Sequence, residues 1–468
     1  MKQRRISAAL SLVLIGGCAM GPDYERPELD IPETYVQPVD TGESFANMPW
    51  WELFEDEALN ELIRTALEKN QDLGIAVSRI EEFRALVGIT RSNQFPTVDV
   101  GATGAQVQNS RNVFPGNLID GTVDNYRLSA DVFFEVDLFG RLRRATESAR
   151  AQLLAEEENR RAVTISLVAA VAQAYMTLRD LDAQLDISLR TREARQDTLD
   201  IINARFSEGV VARIDVNQAE IQLAIAAAAV AAAERAVVQT ENQLAILLGT
   251  NPGTIDRGQS LTEQTLTPDI PAGLPSELLQ RRPDVLATEA LLAAQTARIG
   301  VAQASRWPSL SLTGALGLES QELSDLSDSD SEIWNIDAGI TAPVYNAGRL
   351  RSQVEVEQAR TEQALLSYQQ VVIRAFAEVE DALVAVRTYR DEHAARQMQV
   401  NAASNAAILS RARYDGGVTS YLEVLDTERS LFNAELAQSQ TLRLYLNSII
   451  ELYKALGGGW NPEQTEGP

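Results

Sequence analysis

Four segments of the chain alternate apolar and polar residues with a period of two. In the clearest one, Tyr126–Val136, every second residue is apolar and most residues between them are charged or carry a hydroxyl group. This alternation over about ten residues is typical of a β-strand with one apolar face, in a membrane barrel or in a soluble hairpin. The predicted strands are Thr97–Gln106, Tyr126–Val136, Ser309–Leu318 and Trp334–Val344, with Phe95, Phe139, Trp307 and Tyr345 at their ends.

Two long stretches contain neither proline nor glycine, namely Arg141–Ser207 and Arg349–Asp415. Ala, Leu, Arg, Glu and Gln dominate them, so each predicts one continuous helix on the order of 100 Å long. Helices in globular domains average about 11 or 12 residues, which makes these two exceptional. A glycine-containing turn and a predicted return helix follow each stretch, at Asp215–Leu248 and Leu422–Leu456. We therefore expect two coiled-coil hairpins.

The chain is also an internal duplication. Gly140-Arg141-Leu142-Arg143 recurs as Gly348-Arg349-Leu350-Arg351, an offset of 208 residues. Further upstream the offset is 212, which aligns Phe95-Pro96 with Trp307-Pro308. Each copy predicts a helix (about Ala58–Ser92 and Ser276–Ser305), two strands, a long helix and a return helix. The predicted organisation is a signal peptide 1–17, an extended segment 18–56, a first repeat 57–250, a linker 251–275, a second repeat 276–458 and a tail 459–468.

The N-terminus has the pattern of a lipoprotein signal peptide. Basic residues (Lys2, Arg4, Arg5) precede a short apolar run, and Gly16-Gly17-Cys18 ends it. The run is too short to span a bilayer, as is usual for a secretory signal. Cys18 is the only cysteine of the chain, so a disulfide framework is excluded and one thiol stands where a lipid would be attached. Because Ala19 follows it, the sorting rule known from lipoproteins in general favours the outer membrane.

The composition gives little support to catalysis. The formal net charge is −25, which disfavours nucleic-acid binding because phosphate recognition needs an excess of Lys and Arg. One histidine, His393, and one cysteine leave no cluster for a transition metal. His393 lies in a charged helical stretch and is expected to be solvated. Without a phosphate loop, a dinucleotide fingerprint or a nucleophile elbow, we expect no enzyme activity, no catalytic or metal site and no cofactor.

If the strands lie in a membrane, one chain cannot close a barrel. Open strand edges in lipid would leave N–H and C=O groups unpaired. Two copies would give a barrel of about eight strands, whose interior is filled by side chains, whereas three copies give about twelve strands and room for a lumen. We therefore expect a homotrimer.

The chain resembles the outer membrane factor (TolC) family over nearly its whole mature length, and most closely the acylated branch that serves resistance-nodulation-division efflux pumps. The resemblance implies a mixed α+β membrane protein, a trimeric 12-stranded outer-membrane β-barrel continued by a periplasmic α-helical barrel. It also implies a passive, gated duct for small molecules such as drugs, with a periplasmic membrane fusion (adaptor) protein and an inner-membrane efflux pump as partners. The matching motifs are Gly21-Pro22-Asp23-Tyr24, Trp50-Trp51, Arg281-Arg282-Pro283-Asp284, Gly348-Arg349-Leu350, Tyr421-Leu422-Glu423-Val424-Leu425-Asp426 and Tyr453-Lys454-Ala455-Leu456-Gly457-Gly458-Gly459-Trp460.

The resemblance also assigns site residues. The periplasmic gate falls on Leu422, Asp426 and Arg429, whose i, i+4, i+7 spacing places them on one helical stripe, and Glu423 is expected to extend it. Three copies of Asp426 at one height would form an acidic ring that favours cations. The tips that dock the adaptor correspond to Gly209-Val210 and Gly417-Val418. In the first repeat, Ile214, Gln218 and Ile221 occupy the gate positions without charge.

Three alternatives stay open at this stage. The chain could be the outer-membrane duct of a type I protein-secretion system, which has the same architecture, or a periplasmic coiled-coil scaffold without a pore. The gate residues could instead form a solvated helix face with an ordinary Asp–Arg pair, which contributes little to stability.

We predict that Cys18 is triacylated, because it follows a lipoprotein-type signal and is the only thiol. Mass spectrometry of the N-terminal peptide of the purified protein should then show the mass of the lipid on Cys18 at the first position. An unmodified cysteine, or a mature chain that begins elsewhere, would contradict the prediction.

Overall fold

The computed structural model describes residues 19–29, 31–32, 34–37, 54–108, 122–264 and 275–458, without the side chains of 275–277. Cys18, Trp50-Trp51 and the tail 459–468 lie outside these residues. The helices are α1 Glu57–Lys69, α2 Gln71–Ser92, α3 Arg141–Ser207, α4 Arg213–Leu247, α5 Pro275–Arg281, α6 Pro283–Ala304, α7 Arg349–Asp415 and α8 Tyr421–Ala455. The strands are β1 Thr97–Gln108, β2 Thr122–Val136, β3 Ser309–Ser320 and β4 Glu332–Thr341.

The long helices match the prediction. Both α3 and α7 have 67 residues and run between the predicted ends, while α4 and α8 both have 35 residues. The absence of Pro and Gly allows the backbone hydrogen bonds to continue without interruption. The two copies therefore have the same element order and the same helix lengths.

The helix that opens each repeat was predicted as one piece, and that prediction was wrong. In the first repeat Asn70 has an extended backbone (ψ 131°) between α1 and α2. Its side-chain amide donates to the carbonyl of Leu247 at 2.8 Å and its carbonyl oxygen accepts from the amide of Leu73 at 3.0 Å. In the second repeat the break falls at Arg282, because Pro283 disfavours a helical conformation for the residue before it.

The four strands form one antiparallel sheet in the order β1-β2-β3-β4. The register places residues of like character opposite each other: Val100 faces Ala130 and Leu316 faces Trp334, while Thr103 faces Arg127. One face is therefore apolar and the other polar. The apolar face is strongly exposed in the single chain, with Val100 at 77% and Ile336 at 80% exposure. Strand β4 ends at Thr341 rather than at the predicted Val344, because Pro343 has no N–H for the ladder.

The chain divides into two compact units that do not follow the repeats. The first unit comprises residues 1–27, 80–155 and 288–367, and it contains the sheet. Residues just after Cys18 pack within it: the buried guanidinium of Arg144 donates to the carbonyl of Met20 at 3.1 Å and to the carboxylate of Asp23 at 2.6 Å. Phe139 and Trp307 stack with ring centroids 5.3 Å apart, at the ends of the strands where aromatic residues were predicted.

The second unit comprises residues 28–79, 156–287 and 368–468. Its core joins α1, α3 and α8 through large buried side chains such as Leu59, Tyr175 and Tyr453. The described part of the predicted linker, 251–264, packs on this core rather than crossing solvent. Buried Asp56 caps α1 and accepts hydrogen bonds from the Tyr175 hydroxyl at 2.8 Å and the Gln264 amide at 2.8 Å.

Three of the described helices are apolar enough to cross a membrane by length and composition alone, namely α3, α4 and α6. The most apolar window of α4 is only 11% buried.

His393 is half-buried, whereas the sequence predicted a solvated side chain. Its Nδ1 lacks a hydrogen-bond partner among the described residues, and burial lowers its pKa.

Candidate functional site

The candidate site lies at the ends of the two helical hairpins, within the second unit. Helix α3 ends at Ser207 and α7 ends at Asp415, and each is followed by a glycine with positive φ: Gly209 at 76° and Gly417 at 71°. The amide of Val210 donates to the carbonyl of Arg205, and that of Gly209 to Phe206. This is a Schellman ending, which needs a left-handed residue and explains the glycine. The second turn repeats the pattern with Gly417 and Val418.

The turns present apolar side chains to solvent. Val210 and Val418 are each 71% exposed, and a Cβ added at Gly209 or Gly417 would meet nothing within 4 Å. The residues predicted as adaptor-docking tips therefore form two similar, open turns. Their docking role stays a prediction.

The predicted gate stripe lies on the exposed face of α8. Leu422 is 63% exposed, and the exposed side chains of Asp426 and Arg429 form an ion pair at 2.5 Å. The opposite face of α8 is buried: Val424 and Leu425 pack in an apolar cluster with residues of α3 and α4 such as Ile202 and Val216. This amphipathic arrangement holds α8 against the first hairpin and leaves the stripe free.

Glu423 does not join that stripe. Its carboxylate accepts a hydrogen bond from the Thr419 hydroxyl and lies 3.6 Å from the guanidinium of Arg413 on α7. The structure therefore brings Asp426 and Arg429 together and directs Glu423 to a neighbour within its own hairpin. In the first repeat, the equivalent Ile214 and Ile221 are 62% and 55% exposed, and with Gln218 between them that stripe carries no charge.

Sequence reasoning missed the contacts that join the two hairpins. The guanidinium of Arg411 on α7 donates to the hydroxyl of Thr198 on α3 at 3.1 Å. Closer to the tips, Arg205 of α3 pairs with Asp415 of α7 at 3.4 Å and lies over the ring of Tyr414, 5.0 Å from its centroid. These partners are more than 200 residues apart in the chain, and no local pattern indicates such pairs.

A partly buried charge group supports these contacts. Arg195 is almost fully buried, donates to the carbonyl of Gln222 at 2.7 Å, and lies over the ring of Phe432 at 5.3 Å. Burial lowers its pKa. Burial also raises the pKa of Glu428, against the opposing effect of Arg411 and Arg195. Because these charges are partly desolvated, removal of one partner would leave the other buried without compensation.

Comparison with known proteins connects this geometry to a family. The model of the outer membrane efflux protein family matches residues 62–250 and 274–458, which is most of the chain and both repeats. The chain belongs to the outer membrane efflux protein family.

Three relatives show how far this similarity extends. The solvent efflux pump outer membrane protein SrpC of Pseudomonas putida is 34% identical over 97% of this chain and 98% of its own length. The cation efflux system protein CusC of Escherichia coli O157:H7 is 34% identical over 95% of this chain and 96% of its own. The open-state crystal structure of the MtrE outer membrane channel of Neisseria gonorrhoeae has 33% identity and a TM-score of 0.86, covering 94% of this chain and 98% of that chain.

Membership in this family confirms three predictions made from the sequence. The outer membrane efflux protein has the barrel-and-helical-tunnel fold, it resides in the outer membrane, and it is the channel component of an efflux system. The gate, tip and anchor residues stay predictions, because the family match does not test individual side chains.

We predict that Arg411→Ala loosens the contact between the hairpins. A hydrogen bond to a charged group contributes about 1.5 to 3 kcal/mol, so amides in the last turns of α3 should exchange hydrogen on the order of tenfold faster. Hydrogen-exchange mass spectrometry measures this. Arg413→Ala is the matched control, because Arg413 contacts Glu423 within one hairpin. Equal exchange of α3 in both variants would contradict the prediction.

Proposed function

We propose that this outer membrane efflux protein works as a homotrimeric, passive duct for small molecules. The observation that carries the proposal is the sheet. Among the described residues β1 pairs only with β2 and β4 only with β3, so both edges of the sheet lack a partner within the chain. Its exposed apolar face fits lipid, and its polar face fits a water-filled lumen. In lipid the free edges require other strands, and a second and third copy supply them.

The proposal also includes two partner proteins and the absence of enzymatic activity. The open turns at Gly209-Val210 and Gly417-Val418 are suited to docking a periplasmic adaptor, which in turn would reach an inner-membrane pump of the resistance-nodulation-division type. We further propose that the protein has no enzymatic activity and that transport is driven by the pump. Acylation of Cys18 would add an anchor in the inner leaflet of the outer membrane.

The names of the relatives indicate a broad class of cargo and no single substrate. One relative is named for solvents and another for cations, and both are about equally similar to this chain. We therefore propose a small-molecule cargo whose identity is set by the pump rather than by the duct.

The gate is proposed at the exposed stripe of α8. Three copies of Leu422 at one level would exclude water and hydrated ions, and three carboxylates of Asp426 close by would attract cations. The inter-hairpin contacts through Arg411 and Arg205 would hold the stripes inward. Opening would then require the two hairpins to separate at their tips.

We predict that replacing both Leu422 and Asp426 with Ala opens the resting duct. The apolar ring is lost and with it the acidic ring, so conductance in planar bilayers should rise severalfold while cation selectivity falls. Cells that carry the variant should become sensitive to large antibiotics that normally do not cross the outer membrane.

The matched control replaces Ile214 and Gln218, the equivalent positions of the first repeat, with Ala. This pair removes no charge and should change conductance much less. If the control opened the duct and the α8 variant conducted like the parent, the gate would belong to the other helix. If neither protein conducted at all, the duct itself would be refuted.

A further inference from the structure

A cavity of about 520 Å³ lies in the first unit, where the helices meet the sheet. Residues from α2, α3, α6 and α7 line it, among them Thr90, Ser148, Arg298 and Arg349. Ser305 lines this cavity and also a neighbouring one that includes Glu135 and Thr341, which lie on the polar face of the sheet. The cavity therefore adjoins the face that we assign to the lumen.

Two guanidinium groups in this cavity have no side-chain partner in the part of the chain that the structure describes. Neither Arg298 nor Arg349 forms an ion pair or a side-chain hydrogen bond with any residue that the structure describes. The one carboxylate in the lining, Glu357, is already compensated: it accepts from the Gln295 amide at 2.6 Å and pairs with Arg360 at 2.9 Å. The cavity thus carries two solvent-exposed guanidinium groups without a protein counter-charge among the described residues, in a chain whose net charge is −25.

The duplication shows that these charges are particular to the second repeat. In the first repeat Arg141, the counterpart of Arg349, pairs with Glu135 at 2.7 Å. At the same offset the counterpart of Glu135 is Pro343, which cannot neutralise an arginine. The counterpart of Arg298, at the upstream offset, is the apolar Leu86. Positions that are neutral or paired in the first copy are thus arginines without an ion-pair partner among the described residues in the second.

The remaining lining supplies both polar and apolar contacts. Ser148 is buried, accepts a hydrogen bond from the Gln152 amide at 3.3 Å, and its own hydroxyl proton has no acceptor among the described residues. Ala149, Val301 and Leu350 add apolar walls. Small-molecule sites usually have volumes of about 300 to 1,000 Å³, so the cavity has room for more than an inorganic ion.

We propose that this cavity is a binding station for organic anions that pass through the duct, with Arg298 and Arg349 binding the carboxylate or phosphate group and the apolar wall binding the organic part. Guanidinium groups suit this role because they form bidentate hydrogen bonds with both anions. The lumen would then contain an anion-binding level beside the sheet, separate from the cation-favouring gate at Asp426. This proposal rests on the proposed function in one respect, namely that the ligand reaches the cavity through the duct.

The test is equilibrium binding to the full-length protein in neutral detergent, measured by calorimetry with 2-naphthoate as the probe. Its uncharged analogue 2-naphthamide has the same ring system and controls for partition into detergent. The parent protein should bind naphthoate saturably and at least tenfold more tightly than naphthamide. The double variant R298Q/R349Q should lose at least tenfold in affinity, and R298K/R349K, which retains the charge, should lie between.

Arg351→Gln is the matched control, because Arg351 lies in the same turn of α7 but pairs with Glu355 and does not line the cavity. It should bind naphthoate within twofold of the parent. Equal binding by the parent and R298Q/R349Q, or no binding by the parent, would overturn the proposal. Inorganic phosphate that bound more tightly than naphthoate would overturn the assignment to organic anions. Binding needs no open pore, so conductance of the same preparations tests the duct separately.

Discussion

The constraint on which the rest of the structure depends is that backbone polar groups in lipid must be paired. Among the described residues, each chain has a sheet of four strands with an apolar face and two edges that lack a partner strand. An unpaired N–H or C=O group in hydrocarbon costs several kcal/mol, so a row of them cannot persist. In the proposed function other copies of the chain close the sheet, and the size of the lumen follows from the number of strands. In this proposal oligomerisation, membrane insertion and pore formation depend on one another.

The two repeats share their architecture but differ in the side chains proposed for gating and binding. Both copies build the wall, since each contributes two strands, one helix of 67 residues and one of 35. The charged side chains differ, however. The second copy carries the Asp426–Arg429 pair on its return helix and, beside the sheet, Arg298 and Arg349, which have no ion-pair partner among the described residues. The first copy has uncharged or compensated residues at those positions. Repetition gives the architecture, and divergence between the copies gives the positions that a cargo or an ion would meet.

Much of the fold could be predicted from the sequence because its signals are local. The period-2 alternation identified all four strands, and the lack of helix breakers identified α3 and α7 to the residue. The breaks at Asn70 and Arg282 were missed, although Pro283 was a visible signal for the second of them. The contacts of Arg411 with Thr198 and of Arg205 with Asp415 could not be predicted, because they join residues far apart in the chain and depend on how the hairpins pack. His393 was misjudged because its burial depends on how the helices pack, which the charged residues beside it in the sequence do not reveal.

The most direct test of the account is the mass of the purified protein in detergent, measured by light scattering with the detergent contribution subtracted. Closure by three copies of a 51.2 kDa chain predicts a single species of about 150 kDa that conducts ions in planar bilayers. Cysteine pairs placed on the outer strands β1 and β4, in a background without Cys18, should cross-link neighbouring copies and give covalent oligomers no larger than a trimer. A stable monomer that conducts ions, or cross-links confined to single chains, would contradict the account.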